Sequence, residues 1–409
     1  MALTRLWAFA ATTRAGSGVG MAMPPWNRLG VDDFLPATPS AGRGQNATEP
    51  ISPATMGPLL IWALRMVDDF ADDILAAWAE AQRLAEGAAH TEPSRASKDR
   101  LKRYLQDLID RRQPVPSRPN AGYAHALANT YIAGHVGCSP MQVNGLLFAA
   151  PWQHLLPYVR SNPGPCPLST PVTGRVGDTR WTAFIDFTEA RTLMRHLGTA
   201  CFIVLAYLTG MRPAEVLGLK SGCCPEPDGH HHLIYGRVFK NAADEEGNYH
   251  SAGHPREVPW VAIAPVVTAI RVLERIAPDG GLLFDAATHT FRNIPTASAT
   301  SIGQQGLRGR IEDFAAWASG LARRLGRDQE AVPDDPYGAI GLNRFRRTLA
   351  WHIARRPGGL VALAIQYGHM RTAMSLSFIH RCRTGIELVR SFPSSPNVRE
   401  AGPRSCVQG

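Results

Sequence analysis

Residues 208–219 read "LTGMRPAEVLGL", and the fold depends on how this stretch is parsed. The run before it, "TACFIVLAYLTG" (199–210), is apolar throughout, so as a helix it must be buried, and Gly210 is its natural end. Pro213 pushes Arg212 out of the α region and starts a new helix, which places Arg212 at a helix N-terminus. Apolar helices on both sides hold that guanidinium in one place. Bulk surface charge is a poor description of such a residue.

Working outward, "HHLIYGRVFK" (231–240) and "HPREVPW" (254–260) are strand-like and joined by the polar loop "NAADEEGNYHSAG" (241–253). They predict a β-hairpin with Lys240 at the end of its first strand. On either side, "DFTEARTLMRHLG", "APVVTAIRVLERIA", "IEDFAAWASGLARRL", "NRFRRTLAWHIARR" and "LVALAIQYG" read as helices. The expected fold class is mainly α with a small antiparallel β-sheet, an α+β arrangement.

Three basic islands then stand out: Arg212, Lys240, and the helix carrying Asn343, Arg346 and Arg347, with His369 across a following turn. Two fixed arginines, a lysine and a histidine suit the stabilisation of a phosphoryl transition state. Guanidinium groups fork onto non-bridging oxygens and stay charged at any working pH. Lysine or histidine can protonate a departing alkoxide. No acidic metal-ligand cluster accompanies them, so the expected chemistry needs no metal and no cofactor. A side chain would attack the phosphodiester and form a covalent intermediate.

The order "TGMRPAEVLGL", hairpin lysine, "NRFRRT", "YGH" resembles the tyrosine recombinase, or phage integrase, family. The resemblance covers about 175–381. It implies that Arg212 is the first catalytic arginine, buttressed by Glu215, and that Lys240 is the general acid. It implies further that Arg346 is the second arginine, with Arg347 where the family often has histidine, and that His369 donates to the phosphate. Double-stranded DNA is the implied partner, bound by a homodimer or homotetramer, and the implied reaction is site-specific recombination or integration of mobile elements through a 3'-phosphotyrosine.

Two positions depart from the family pattern. Asn343 stands where a histidine or lysine is usual; it can donate to a phosphate oxygen but cannot shuttle a proton. Phe378, in "YGHMRTAMSLSFIHR" (367–381), stands where the nucleophilic tyrosine belongs. The last tyrosine of the chain is Tyr367, so an identical partner subunit supplies no later one. Ser375 and Ser377 lie nearby but have no identifiable activating base. The resemblance therefore implies retained fold and DNA binding with strand cleavage lost, and its alternative is an inactive DNA-binding regulator or integrase remnant occupying attachment sites. A type IB topoisomerase-like enzyme would also need the tyrosine.

The remaining chain divides by composition. Residues 1–50 are Gly, Pro, Ala and Ser rich and read as a flexible arm. Residues 51–160 are helical: Ser52 and Pro53 open a helix with Leu60, Leu64, Val67, Ile74 and Trp78 on one face, and "DRLKRYLQDLIDRR" (99–112) forms another. By resemblance this is the DNA core-binding domain, with Arg95, Lys98, Lys102 and Arg103 as candidate DNA contacts; a solvated helix face is the competing reading. A linker (161–180), an integrase-like catalytic domain (181–390) and a disordered tail (391–409) complete the division.

The formal charge of +9 over 409 residues favours a polyanionic partner, nucleic acid before membrane surface. Seven scattered cysteines fit a reducing cytoplasm better than a secreted disulfide framework, and the resemblance implies a bacterial, DNA-associated protein. No window is expected to reach the length and apolarity of a membrane span. Cys223 and Cys224 before "EPDGHHH" lack zinc-site spacing, and the expectation there is a loop without metal.

Overall fold

The computed structural model describes residues 49–120, 125–147, 157–158, 161–227, 231–239, 253–291, 300–357 and 359–367, with Ala149 and Trp152. The expected arm (apart from its last two residues) and the tail, and with them Lys240, His369, Phe378, Ser375 and Ser377, lie outside the described residues.

Eleven helices are named here in chain order. They are α1 (Pro53–Asp68), α2 (Ala71–His90), α3 (Arg95–Asp110), α4 (Asn129–Val136), α5 (Pro140–Leu147), α6 (Phe187–Thr209), α7 (Pro213–Leu217), α8 (Ala264–Glu274), α9 (Gln304–Arg324), α10 (Leu342–Ala354) and α11 (Gly359–Tyr367). Strands are short. β1 (Val115–Pro119) pairs antiparallel with β2 (His125–Leu127) and parallel with β3 (Pro163–Gly164), and β4 (Arg175–Val176) pairs with β5 (Thr179–Arg180). β6 (His232–Ile234) pairs with β9 (Trp260–Ala262), and β7 (Arg237–Val238) with β8 (His254–Pro255), both antiparallel. The chain is thus mainly α with small β elements. The strands form several small units, one with a parallel pair, because the segment between α3 and α6 also contributes pairing residues.

α6 is the central element, packed against α1, α2, α8, α9 and α10. Asp186 caps it, its side chain accepting from the Thr188 backbone N–H at 2.8 Å, and Gly210 at φ +66° ends it. By length and composition α6 could span a membrane, contrary to the sequence expectation, but 78% of its most apolar window is buried inside the protein. A helix apolar on every face is what the middle of a core requires.

The apolar packing does not treat 51–160 as a unit. Leu59, Trp62, Met66 and Ile74 share one core with Phe202, Ile270, Phe314 and Phe345. Leu101, Leu105, Ile132 and Val143 form a second cluster with Cys166. α2 reaches both, contributing Ala77 to the first and Ala88 to the second. The expected continuous helix from Pro53 is interrupted at Asp69–Phe70, which turns Phe70 onto Trp181 with ring centroids 4.9 Å apart.

The linker is pinned to α2 by two carboxylates. Glu80 accepts from the backbone N–H and hydroxyl of Ser169 (2.9 and 2.5 Å) and of Thr170 (2.8 and 2.6 Å). Asp73, two turns earlier, accepts from Thr173, from the Gly174 N–H and from Trp181 Nε1 at 2.8 to 3.0 Å. Burial alone would raise both carboxyls, but these hydrogen bonds outweigh it and hold them below the ordinary range.

Candidate anion-binding site

The site is built where α6 ends. Gly210 and Met211 turn the chain, and Arg212 takes an extended conformation (φ −71°, ψ 152°) as the N-cap of α7 with Pro213 in the first turn. Glu215, only 2% exposed, reaches back across that turn. Its carboxylate accepts from the Arg212 backbone N–H at 2.7 Å and from Arg212 Nη1 at 2.8 Å. The guanidinium is therefore fixed at one edge and remains partly exposed, with 31% of its side chain accessible.

α10 delivers the second arginine. Arg346 is 6% exposed, and Nη1 donates to the Gly210 carbonyl. Its guanidinium lies 3.6 Å from the centroid of the Tyr367 ring, while the Tyr367 hydroxyl donates to the Arg346 carbonyl at 2.6 Å. Nη2 of Arg346 is buried and has no hydrogen-bond partner among the described residues. Burial pushes the Arg346 guanidinium down to about 10, and the nearby Arg212 and Arg256 charges act in the same direction. It remains a cation at neutral pH.

α11 closes the corner. Gln366 Nε2 donates to the Thr209 carbonyl at 3.0 Å, and Tyr367 lies directly against Gly210, where a Cβ would collide with the ring. Burial pushes the Tyr367 phenol far above its ordinary value. A buried phenol that holds its proton and donates it to a carbonyl is a structural group, not a nucleophile.

The remaining candidates are placed as follows. Asn343 is exposed in the first turn of α10, three residues before Arg346. Arg347 is half-buried on the same helix. Arg344 between them, which the sequence analysis passed over, is 3% exposed and pairs with Asp335 at 2.6 Å. It also donates to Gly338, Ala339 and Pro50 carbonyls at 2.9 to 3.0 Å, tying α10 to the start of α1. Arg256, likewise unassigned from sequence, donates to the Gln366 carbonyl at 3.0 Å and stacks 4.1 Å from the Trp260 ring centroid.

On α3, Arg95, Lys98 and Arg103 are exposed and Lys102 half-buried. Asp99 holds two of them locally, its carboxylate 3.7 Å from Lys102 Nζ in an ion pair and its backbone carbonyl accepting from Arg103 Nε at 3.4 Å. Cys138, Cys166, Cys201, Cys223 and Cys224 are free and buried; burial pushes Cys166 and Cys223 up to about 12. No cluster able to hold a metal ion occurs among the described residues.

No protein-family profile and no curated protein matches the chain. Solved structures do. One is XerH site-specific recombinase bound to palindromic difH substrate in a post-cleavage complex, at 15% identity over 49% of this chain and 47% of that one, TM-score 0.28. Another is XerH bound to difH substrate in a pre-cleavage complex, at 15% identity over 50% and 49%, TM-score 0.29. The chain thus spans about half the length of these structures, and likeness at this level carries no argument about activity.

Proposed function

We propose that the protein binds double-stranded DNA by seating a backbone phosphate against Arg212 and Arg346, on a scaffold of the tyrosine recombinase type. The observation that carries this reading is the Arg346 guanidinium: buried, charged, and with Nη2 unpaired among the described residues beside a second fixed arginine. A buried unpaired cationic donor is costly, and a phosphodiester oxygen relieves both the missing hydrogen bond and the charge excess. Glu215 fixes one edge of Arg212 and leaves the rest of its fork for the anion.

In this reading Lys240, from the position of the family's general acid, completes the phosphate contacts together with Asn343, Arg347 and His369. Phe378 occupies the nucleophile position and has no hydroxyl, so the protein occupies DNA sites without cutting strands. The α3 helix takes part in holding the duplex, with Arg95, Lys98, Lys102 and Arg103 on its backbone. The protein acts as a homodimer or homotetramer in a bacterial cytoplasm.

The test is equilibrium binding to mixed-sequence duplex DNA over a salt series. Binding should weaken steeply with salt, and Arg346→Gln should reduce the log–log slope by about 0.9, the loss of one neutralised phosphate. An Arg346→Gln variant that folds and binds with the wild-type slope would refute the assignment.

A further inference from the structure

The hairpin carries a third arginine into the same corner. Arg256 directly follows β8, and its guanidinium lies 4.1 Å from the Trp260 ring centroid, a contact that fixes the plane of the fork. Nη2 donates to the Gln366 carbonyl at 3.0 Å. Gln366 in turn donates to Thr209, three residues before Arg212, and its neighbour Tyr367 underlies Arg346. Arg256 is therefore joined to both arginines of the site through two consecutive residues of α11.

Electrostatics agrees with this placement. Burial pushes the Arg256 guanidinium down, Glu215 opposes that shift and Arg212 adds to it, and Arg346 is itself lowered by Arg256. Three guanidinium groups thus act on one another, and the Glu215 carboxylate opposes the lowering of Arg256 and Arg346.

We propose that Arg256 is a third anion-binding residue of the Arg212–Arg346 site, supplying charge to the bound backbone phosphate while its hydrogen bond to Gln366 sets its position. The assignment rests on the DNA reading above. It gives the hairpin a role in binding that does not depend on Lys240.

The full chain, with mixed-sequence duplex DNA as the probe, tests this over a salt series. Arg256→Gln should make the dependence of log affinity on log salt measurably shallower, by no more than the about 0.9 that one neutralised phosphate contributes, and Arg256→Lys, which keeps the charge, should hold the wild-type slope. Arg256→Met keeps the stem packed on Trp260 and replaces the Gln variant if that does not fold. A neutral variant that melts at lower temperature but binds with the wild-type slope would show a structural strut only and overturn the assignment. Wild-type protein without salt-dependent binding would overturn the DNA reading itself, and the assignment with it.

Discussion

Tyr367 and Arg346 hold each other twice: the tyrosine ring lies 3.6 Å beneath the arginine's guanidinium, and its hydroxyl donates to the same residue's carbonyl at 2.6 Å. The side chain is thereby fixed on one face, and the helix that bears it is tied to α11. The last tyrosine of the chain is spent on positioning.

Separate substitutions resolve these two contacts. Tyr367→Phe keeps the ring and loses one hydrogen bond, so stability should fall by about 1 kcal/mol with DNA affinity nearly unchanged. Tyr367→Ala removes the ring, should cost about 3 kcal/mol or more, and should weaken DNA binding because Arg346 loses its support. Denaturant melts and binding isotherms on the two variants measure both effects.

Gly210 is the pivot. At φ +66° it is in the left-handed region, and an added Cβ would strike the Tyr367 ring. Gly210→Ala should therefore destabilise by more than about 1 kcal/mol and also loosen the site. Gly222, at φ +82° with open space around it, is the control: Gly222→Ala carries the backbone strain without the collision. Thermal melts should place Gly210→Ala clearly below Gly222→Ala.

Acid should release the linker from α2. Asp73 and Glu80 have folded-state carboxyls held below their ordinary values, so the stability they add is complete above the unfolded carboxylate range. It is lost as pH falls through their lowered values. Melting temperature should drop between about pH 5 and about pH 3, and Asp73→Asn should lower stability near pH 7 while flattening that dependence.

The turn at Gly210–Pro213 and the paired strands around Trp260 were legible because Gly, Pro and alternation act locally. Residues whose partners are remote were not. Nothing in the sequence around Asp73 and Glu80 announces their partners, which lie 89 to 108 residues away. "NRFRRT" offers three arginines within four positions, and only packing separates them: Arg344 turns to Asp335, Arg346 to Gly210 and Tyr367. Arg256 lies in the strand-like "HPREVPW", where nothing local announces Gln366 as its acceptor.

The Arg344–Asp335 pair sets the framework for α10. Both side chains are buried, at 3% and 1% exposure, and Asp335 also accepts from the Ser52 backbone N–H at 2.7 Å. Asp335→Ala leaves a buried guanidinium without its counter-charge and should cost about 3–5 kcal/mol. Asn343→Ala, one residue away on the exposed face, should change stability by less than about 0.5 kcal/mol. Chemical denaturation of the two variants distinguishes framework from surface.

The most direct measurement offers the protein a pool of nicked duplexes of randomised sequence and recovers DNA that stays attached after denaturation. If Phe378 stands at the nucleophile position as proposed, the wild-type chain should yield none, and Phe378→Tyr should yield an adduct that Arg346→Gln abolishes. Covalent DNA on the wild-type protein would contradict the account.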